Sequence, residues 1–500
     1  MSTIFDDFKN YLEKMNRYER ASSLFYWDMR TATPKQGMDG MIDAVTFFSS
    51  EAFAMATSDE LGGYLDALAA PEEFGKLDDT WKFIVKRMKR EFDRDRRIPA
   101  DVYEAYIRAQ AESESAWEEA KRKSDYSLFA PHLKKMIDFT KEITGYTDPD
   151  KEIYDALLDQ YEEGMDSATI DRLFEELKKD LIPLTDKILR AEQPDDSAFQ
   201  GYFDPDAQRK VQMMLLDYIG FRKSAGTVGE TEHPFTMAFS SKDVRVTNHY
   251  YENMPLSSVF SAIHEGGHGI FEQNVNPDLD NTVAGSCRYM GIHESQSRFY
   301  ENILGRNRNF WVPIYGKLGT LLPQFADIPL DDFYWEINHV RASLIRTEAD
   351  EVTYCFHIIL RYEMEKAIFR DNVDVNELPK LWNEKMQEYL HITPANDAEG
   401  ILQDSHWSGG SFGYFPSYLL GSIYDGMYLD AMEAELGPVD EILADGRIAE
   451  ITHWLNEKIH RYGSTRTPKE VIAAVCGKEV SAEPLVRYFT KKYEKLYRLK

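Results

Sequence analysis

The chain has 500 residues, of which 43% are hydrophobic and 29% charged, a composition typical of a soluble globular protein with a large core. Its formal net charge of −28 disfavours binding to nucleic acid or to an anionic membrane surface. The three cysteines are scattered, which excludes a disulfide framework and a CxxC metal knuckle. No apolar run is long enough to span a bilayer, and the acidic first residues lack the order of a signal peptide, so we expect a cytoplasmic protein without membrane contacts.

Amphipathic helices are predicted along most of the chain. One apolar face of the first segment consists of Phe5, Phe8, Leu12, Met15 and Tyr18. Apolar residues with the same spacing recur in residues 79–99, 168–192, 206–221 and 450–463. No internal repeat or flexible linker divides the sequence. We therefore predict a mainly α protein with a single large helical domain over residues 1–500, in which residues up to about 200 are a helical N-terminal part and residues 201–500 carry the functional motifs.

Residues 234–251 are the exception to this helical pattern. They combine β-branched and aromatic residues in partial alternation, with a Ser-Ser-Lys-Asp turn between the two halves, which predicts a small β-hairpin. An exposed strand edge at this position could align an extended peptide by main-chain hydrogen bonds. A purely structural hairpin fits the sequence equally well.

Residues 257–274, which read SSVFSAIHEGGHGIFEQN, follow directly and have helical periodicity despite Gly266 and Gly267. On a helix, His264 and His268 project side by side, which is the spacing that two imidazoles need to bind one zinc ion. Glu265 lies on the flank, where it can act as a general base toward water activated by the metal. The two glycines indicate close approach of a ligand or another helix.

A catalytic zinc site needs a third protein ligand and one open position. The next helical segment, residues 289–305, offers His293, Glu294 and Glu301. Periodicity does not decide between His293 and Glu294, because neighbours on a helix point about 100° apart. Other acidic residues nearby in the sequence are Glu272, Asp278 and Asp280.

Residues 338–365 are predicted to form one long buried helix. A polar stripe on one side of it would consist of Arg346, Asp350, Thr353 and His357. The planar guanidinium of Arg346 suits a carboxylate, so it could bind a peptide C-terminus, and an ion pair with Asp350 is an equal alternative.

A loop rich in glycine and aromatic residues, residues 400–421, follows. Such a loop can bring backbone close to a ligand, and His406, Tyr414 and Tyr418 could donate hydrogen bonds to a developing oxyanion. The alternative is an aromatic connection that only packs between helices.

Six motifs in a fixed order resemble those of the Taq-type thermostable metallocarboxypeptidases. They are HPF at 233–235, DVRVT at 243–247, HEGGH at 264–268, HESQ at 293–296, IRTEAD at 345–350 and GILQDSHW at 400–407. Residues 27–34 and 488–497 extend the likeness to both ends of the chain.

The resemblance implies an almost wholly helical fold with a deep active-site groove, a homodimer, and one divalent metal ion per chain, zinc in preference to cobalt or manganese. It implies release of single residues from peptide C-termini with broad side-chain tolerance. Carried over by position, His264, His268 and Glu294 match the metal ligands, Glu265 the general base and Arg346 the carboxylate anchor.

Less specific roles follow for the other motif residues. We expect His406 to stabilise the tetrahedral intermediate and Asp350 to bond a ligand imidazole. Four further residues are expected to contact substrate: His233, Arg245, Tyr414 and Tyr418. Gln403 and Asp404 are expected to support the site. The competing hypotheses are an oligopeptidase or dipeptidase of the helical gluzincin group, and a scaffold protein with a closed structural metal site.

Overall fold

The computed structural model describes residues 3–285 and 287–499. Ten helices of the described residues precede the sheet: α1 Thr3–Thr31, α2 Met38–Ala56, α3 Asp59–Ala69, α4 Pro71–Phe74, α5 Asp79–Asp95, α6 Ala100–Lys123, α7 Ala130–Thr147, α8 Ile153–Tyr161, α9 Ser167–Arg190 and α10 Pro205–Ile219. The predicted apolar face of α1 is confirmed, because Phe5, Phe8, Leu12 and Met15 are buried. The helices predicted over residues 79–99, 168–192 and 206–221 correspond to α5, α9 and α10.

The remaining helices follow the sheet: α11 Pro255–Asn274, α12 Met290–Arg298, α13 Arg308–Trp311, α14 Tyr315–Leu321, α15 Leu330–Glu336, α16 Thr353–Phe369, α17 Leu378–Leu390, α18 Phe415–Leu436, α19 Val439–Ala444, α20 Ile448–Lys458, α21 Pro468–Cys476 and α22 Glu483–Leu496. A π-helical segment, Phe299–Gly305, continues α12. In the part of the chain that the structure describes, no helix is both long and apolar enough to cross a membrane.

A three-stranded sheet lies between α10 and α11 in the chain, with strands β1 Gly226–Glu230, β2 Thr236–Ser240 and β3 Asp243–Asn248 in the order β1-β3-β2. The antiparallel pair of β2 and β3 confirms the predicted hairpin. The parallel strand β1 was not predicted, because its GTVGE sequence contains two glycines and too few β-branched residues. The outer edge of β2 faces away from β3.

The two glycines of the HEGGH segment lie where other helices approach α11. A Cβ atom on Gly266 would be 2.5 Å from Ile219 of α10, and one on Gly267 would be 2.7 Å from the carbonyl oxygen of Gln296 on α12. Helix contact therefore accounts for both glycines. α12 in turn packs against α18, so α10, α11, α12 and α18 form successive neighbours in the core.

The prediction of one helix over residues 338–365 is wrong for its first half. The backbone is irregular before Thr353, apart from one 3₁₀ turn at Arg346–Glu348, and α16 begins at Thr353. The side chain of Asp350 accepts hydrogen bonds from the backbone N–H groups of Val352 and Thr353 at 2.9 and 3.0 Å. An aspartate that satisfies free N–H groups in this way favours a helix start, which apolar periodicity alone does not reveal.

Candidate metal centre

Two histidines of α11 and one glutamate of α12 converge on a single point. The ligand atoms of His264, His268 and Glu294 all lie within 4.8 Å of one another. The Glu294 Oε2 atom is 3.5 Å from His268 Nε2 and 3.8 Å from His264 Nε2. Two imidazole nitrogens and a carboxylate oxygen suit zinc and similar divalent ions. Among residues 3–285 and 287–499, this is the one cluster of three or more such side chains with this geometry.

His293, the other candidate for the third position, points elsewhere. Its Nε2 atom lies 2.9 Å from Glu272 Oε1, and its ring stacks on that of His268 with centroids 4.3 Å apart. The direction in which α12 crosses α11 thus brings Glu294, rather than its neighbour, to the histidines.

Arg298 orients the carboxylate of Glu294. Its Nε donates to Glu294 Oε1 at 2.7 Å, which leaves Oε2 directed at the histidines. Burial alone would raise the pKa of Glu294, but Arg298 and His264 outweigh burial and hold this pKa well below its ordinary value. Glu294 is therefore ionised. The guanidinium of Arg298 lies 3.7 Å from the centre of the Tyr354 ring.

A second carboxylate holds the imidazole of His264. Glu301, in the π-helical segment, has its Oε2 atom 2.8 Å from His264 Nδ1, and Arg306 lies 3.5 Å from the other oxygen. This contact fixes the ring so that Nε2 faces His268 and Glu294. Burial lowers the pKa of His264, but the carboxylates of Glu294 and Glu301 outweigh it and raise this pKa to about 9.

Glu265 lies beside the ligands with its carboxyl group buried. The hydroxyl of Thr236, the first residue of β2, donates to Glu265 Oε2 at 2.6 Å and approaches its backbone carbonyl at 3.1 Å. Burial raises the pKa of Glu265, and His264 and Thr236 oppose that shift. A carboxylate with a raised pKa accepts a proton more readily, as a general base must.

Arg346 lies in a buried cluster with Asp404. Its Nε and Nη2 atoms donate to Asp404 Oδ1 at 3.0 and 2.9 Å, and its Nη1 donates to the hydroxyl of Tyr354 at 3.3 Å. Arg361 pairs with the other oxygen of Asp404 at 2.6 Å. Two guanidinium groups share one carboxylate, so the cluster has an excess positive charge. The predicted alternative of an ion pair between Arg346 and Asp350 is wrong.

The loop before α18 and the first turn of α18 bring the remaining polar groups close to this cluster. His406 Nε2 lies 3.2 Å from the Tyr418 hydroxyl, and the rings of Tyr414 and Tyr418 are 5.0 Å apart. Burial lowers the pKa of His406 to about 4, and burial raises the pKa of Tyr414 to about 12. At neutral pH these groups are a neutral imidazole and a neutral phenol that can donate hydrogen bonds.

The chain is similar to known metallopeptidases over nearly its whole length. The model of the carboxypeptidase Taq (M32) metallopeptidase family matches residues 7–493. The chain is 42% identical to Carboxypeptidase 1 of Bacillus subtilis strain 168 over 495 residues, 99% of this chain and 98% of that protein. This chain belongs to the M32 metallopeptidase family. Thermostable carboxypeptidase 1 of Thermus thermophilus is 36% identical over 95% of both chains. The crystal structure of an M32 carboxypeptidase from Deinococcus radiodurans R1 is 28% identical, covers 99% of this chain and 100% of that one, and has a TM-score of 0.96.

The protein is thus a metallocarboxypeptidase, as the motifs predict, and its mainly helical single-domain fold with a small sheet is that of the M32 carboxypeptidases. Family membership implies a divalent metal ion, and His264, His268 and Glu294 are the group that can hold it.

Several predicted residues of this M32 carboxypeptidase lie outside the metal centre. Asp350 does not bond a ligand imidazole as predicted, because its carboxylate accepts from Arg341 N and Thr353 Oγ1 at 3.0 and 2.6 Å; Glu301 makes the predicted contact instead. Gln403 supports the cluster, since its Oε1 accepts from Arg346 N at 3.0 Å. Arg245 pairs with Asp243 at 2.9 Å and lies over the ring of Phe239, away from the ligands.

His233 contributes a hydrogen bond through its backbone carbonyl, which accepts from Thr231 Oγ1 at 2.8 Å. It immediately precedes the Pro-Phe step that leads into β2. His233 therefore lies three residues before β2, the strand whose first residue, Thr236, contacts Glu265.

Sequence reasoning missed three residues of the site. Arg298 is four positions after Glu294, and opposite charges at this spacing on a helix can pair, so the sequence did indicate this contact. Thr236 lies in the predicted hairpin, and Tyr354 lies in the second half of the predicted helix over 338–365, which is helical in the structure. Neither carries a local signal of its contact.

Proposed function

We propose that this metallocarboxypeptidase binds one zinc ion per chain through His264, His268 and Glu294 and releases single amino acids from peptide C-termini with broad side-chain tolerance. The convergence of these three ligand atoms within 4.8 Å, beside the buried carboxyl of Glu265, carries the proposal. The chemistry that such an ion supplies is that of a Lewis acid, which acidifies water and polarises a carbonyl group. Cobalt or manganese would suit the same donor set.

Glu265 acts as the general base in this proposal. Its carboxylate accepts a proton from the attacking water and returns it to the leaving amine. The hydrogen bond from Thr236 Oγ1 to Glu265 Oε2, at 2.6 Å, fixes the orientation of the carboxylate and leaves Oε1 to the water. Since Thr236 begins β2, the outer edge of this strand lies next to the reacting bond, where it can align the peptide by main-chain hydrogen bonds.

Stabilisation of the tetrahedral intermediate falls to the loop before α18 and the first turn of that helix. His406, Tyr414 and Tyr418 present neutral donors, and a preorganised donor is worth about 2.7–4 kcal/mol to an oxyanion in comparable enzymes. The support for this role is their closeness to one another and to Arg346, whose guanidinium lies 4.9 Å from the centre of the Tyr418 ring.

Arg346 is the proposed anchor for the free α-carboxylate of the peptide. Asp404 occupies its Nε and Nη2 atoms, but Arg361 shares the same carboxylate, so the cluster retains a positive charge that an incoming carboxylate would neutralise. A cation that binds a free C-terminus distinguishes a carboxypeptidase from an oligopeptidase or dipeptidase. We assign His233, in the connection before β2, and Arg245, on β3, to more distant substrate contacts.

A single experiment tests the proposal. Purified protein is incubated with a ladder of peptides that differ in their C-terminal residue, with and without a chelator, and the products are identified by mass spectrometry. Sequential loss of single residues, abolished by the chelator and restored by zinc, is expected. Release of dipeptides or internal fragments would favour the oligopeptidase hypothesis, and turnover in protein shown to be metal-free would refute the metal assignment.

We also propose a cytoplasmic homodimer. The strong negative charge, which favours solubility, supports this localisation, and the resemblance to the family supports the dimer. Light scattering during gel filtration measures the mass of the protein in solution. A mass of one chain would refute the dimer.

A further inference from the structure

Tyr354 lies between two buried arginines that serve different parts of the site. The guanidinium of Arg298 lies 3.7 Å from the centre of its ring, and Arg346 Nη1 donates to its hydroxyl at 3.3 Å. Tyr354 is the second residue of α16 and is only 4% exposed. In the described part of the chain, it is the side chain that contacts both guanidinium groups.

The aromatic ring of Tyr354 contacts the arginine that is hydrogen-bonded to Glu294. Arg298 Nε donates to Glu294 Oε1 at 2.7 Å, and this bond turns Oε2 toward the two histidines. The Nε atom that makes this bond is part of the planar guanidinium group of Arg298. The packing of that group against the Tyr354 ring therefore sets the position of the Nε–H donor.

The hydroxyl group of Tyr354 contacts Arg346, the proposed carboxylate anchor. Asp404 accepts from Nε and Nη2 of Arg346, so Nη1 is the nitrogen that Asp404 does not use. The Tyr354 hydroxyl accepts from this nitrogen and thereby sets where it lies.

We propose that Tyr354 is a positioning residue that fixes, through its ring, the arginine that orients the metal ligand Glu294 and, through its hydroxyl, the arginine that binds the C-terminal carboxylate. One rigid side chain then sets the distance between the metal centre and the anchor. The hydroxyl half rests on the proposed function of Arg346, and the ring half rests on the proposed zinc ligation by Glu294.

Tyr354→Phe tests the hydroxyl, because it keeps the ring. The catalytic efficiency is measured on matched peptides with free and amidated C-termini. We expect a fall of about 5- to 20-fold on the free-acid peptide, expressed mainly in KM, and a change of less than about twofold on the amidated one. Zinc affinity, measured by competition with a chelating indicator, should be unchanged. In an Arg346→Ala background the same change should have no further effect, because Tyr354 acts through Arg346.

Tyr362→Phe is the matched control. Tyr362 is a buried tyrosine on the same helix whose hydroxyl donates to Ser167 O at 3.0 Å and Asp171 Oδ1 at 2.7 Å, away from the site. Its replacement should lower the melting temperature without changing the ratio of free-acid to amidated efficiency.

Tyr354→Leu tests the ring. Loss of the surface under Arg298 should lower zinc affinity about 10- to 100-fold in protein that remains folded by circular dichroism. If this variant does not fold, Tyr354→Met makes the same test, since methionine fills much of the volume without an aromatic face and leaves Arg298 itself unchanged. Wild-type zinc affinity in either folded variant would refute the ring role.

The two possible failures of the hydroxyl test are distinguishable. If wild-type protein prefers the free acid but Tyr354→Phe keeps that preference, the inference is wrong and the proposed anchor stands. If wild-type protein cuts both peptides equally, the proposed role of Arg346 is wrong, and with it the hydroxyl half.

Discussion

Substitution of Gly267 by alanine tests whether the contact between α11 and α12 aligns the metal ligands. A Cβ atom at this position would lie 2.7 Å from Gln296 O and 2.9 Å from Ser297 Cα, both backbone atoms of α12. Ordinary contact begins at 3.4 Å, so α12 must retreat by about 0.7 Å, which is 3.4 minus 2.7. Glu294 is on the same helix and would move with it.

That displacement exceeds what metal coordination tolerates, since ligand distances vary by only about 0.2 Å between functional sites. We therefore expect zinc affinity to fall about 10- to 100-fold in Gly267→Ala. Stability should fall by about 0–2 kcal/mol, because alanine gains about 1 kcal/mol in helix propensity and the forced movement costs about 1–3 kcal/mol.

Gly266→Ala is the control, at the next position of the same helix. Its Cβ atom would meet Ile219 Cδ1 at 2.5 Å and Leu216 Cδ2 at 2.9 Å, which are the ends of flexible side chains on α10. These side chains can rotate away without moving α12, so zinc affinity should remain within about twofold of wild type. Competition with a chelating indicator gives both affinities, and thermal melts of the metal-free proteins give both stabilities. Equal zinc affinity in the two variants, whether retained or lost, would refute the reasoning.

Further predictions concern the base, the anchor and a buried acid. Glu265→Gln should keep its zinc but lose about two to four orders of magnitude in turnover, because it lacks the proton acceptor. Glu294→Ala should instead lose zinc. Elemental analysis measures both metal contents, and the reverse result would refute the assignment of ligand and base. Amidation of a peptide C-terminus should reduce the catalytic efficiency of the wild-type protein about 30-fold to several thousand-fold. On amidated peptides, Arg346→Ala should cause little further loss of catalytic efficiency. Burial raises the pKa of Glu162 to about 7, and its carboxylate accepts from Gly291 N. A raised acid pKa means that the folded state holds the proton more tightly, so this contribution to stability is complete below about pH 4.5 and is lost as the pH rises to about 7. Denaturant titrations should show wild type losing about 3 kcal/mol relative to Glu162→Gln over that window, and parallel pH profiles would contradict the shift.

The parts of the fold that were predictable from the sequence are those with a local cause. The HEGGH helix and the hairpin each carry a periodicity that arises from burial of one face, and both are present in the structure. The strand β1 has no such periodicity, because it depends on pairing with β3. The first half of the predicted helix over 338–365 has helical periodicity but not helical structure. There the side chain of Asp350 accepts from the backbone N–H of Thr353, where α16 begins, and the side chain of Gln403 accepts from the backbone N–H of Arg346.

The site divides in the same way. The spacing of His264 and His268 reports their proximity directly, because one helix carries both. The choice between His293 and Glu294 depends on how α12 crosses α11, and the partner of Arg346 lies 58 positions away at Asp404. Contacts of this kind are set by tertiary packing, and a single sequence contains no local record of them.

The charges around the ligand histidines explain why Glu294 can be both buried and well oriented. Two carboxylates, Glu294 and Glu301, face two guanidinium groups, Arg298 and Arg306, at 2.7 and 3.5 Å. The four charges cancel, so the ionised carboxylates are compensated by the protein itself. Because Arg298 neutralises Glu294 through the oxygen that points away from the histidines, the same bond that lowers the cost of burial also selects the ligand atom. Removal of Arg298 would therefore leave Glu294 without its charge partner and without its orientation, and the two effects would act together on metal affinity.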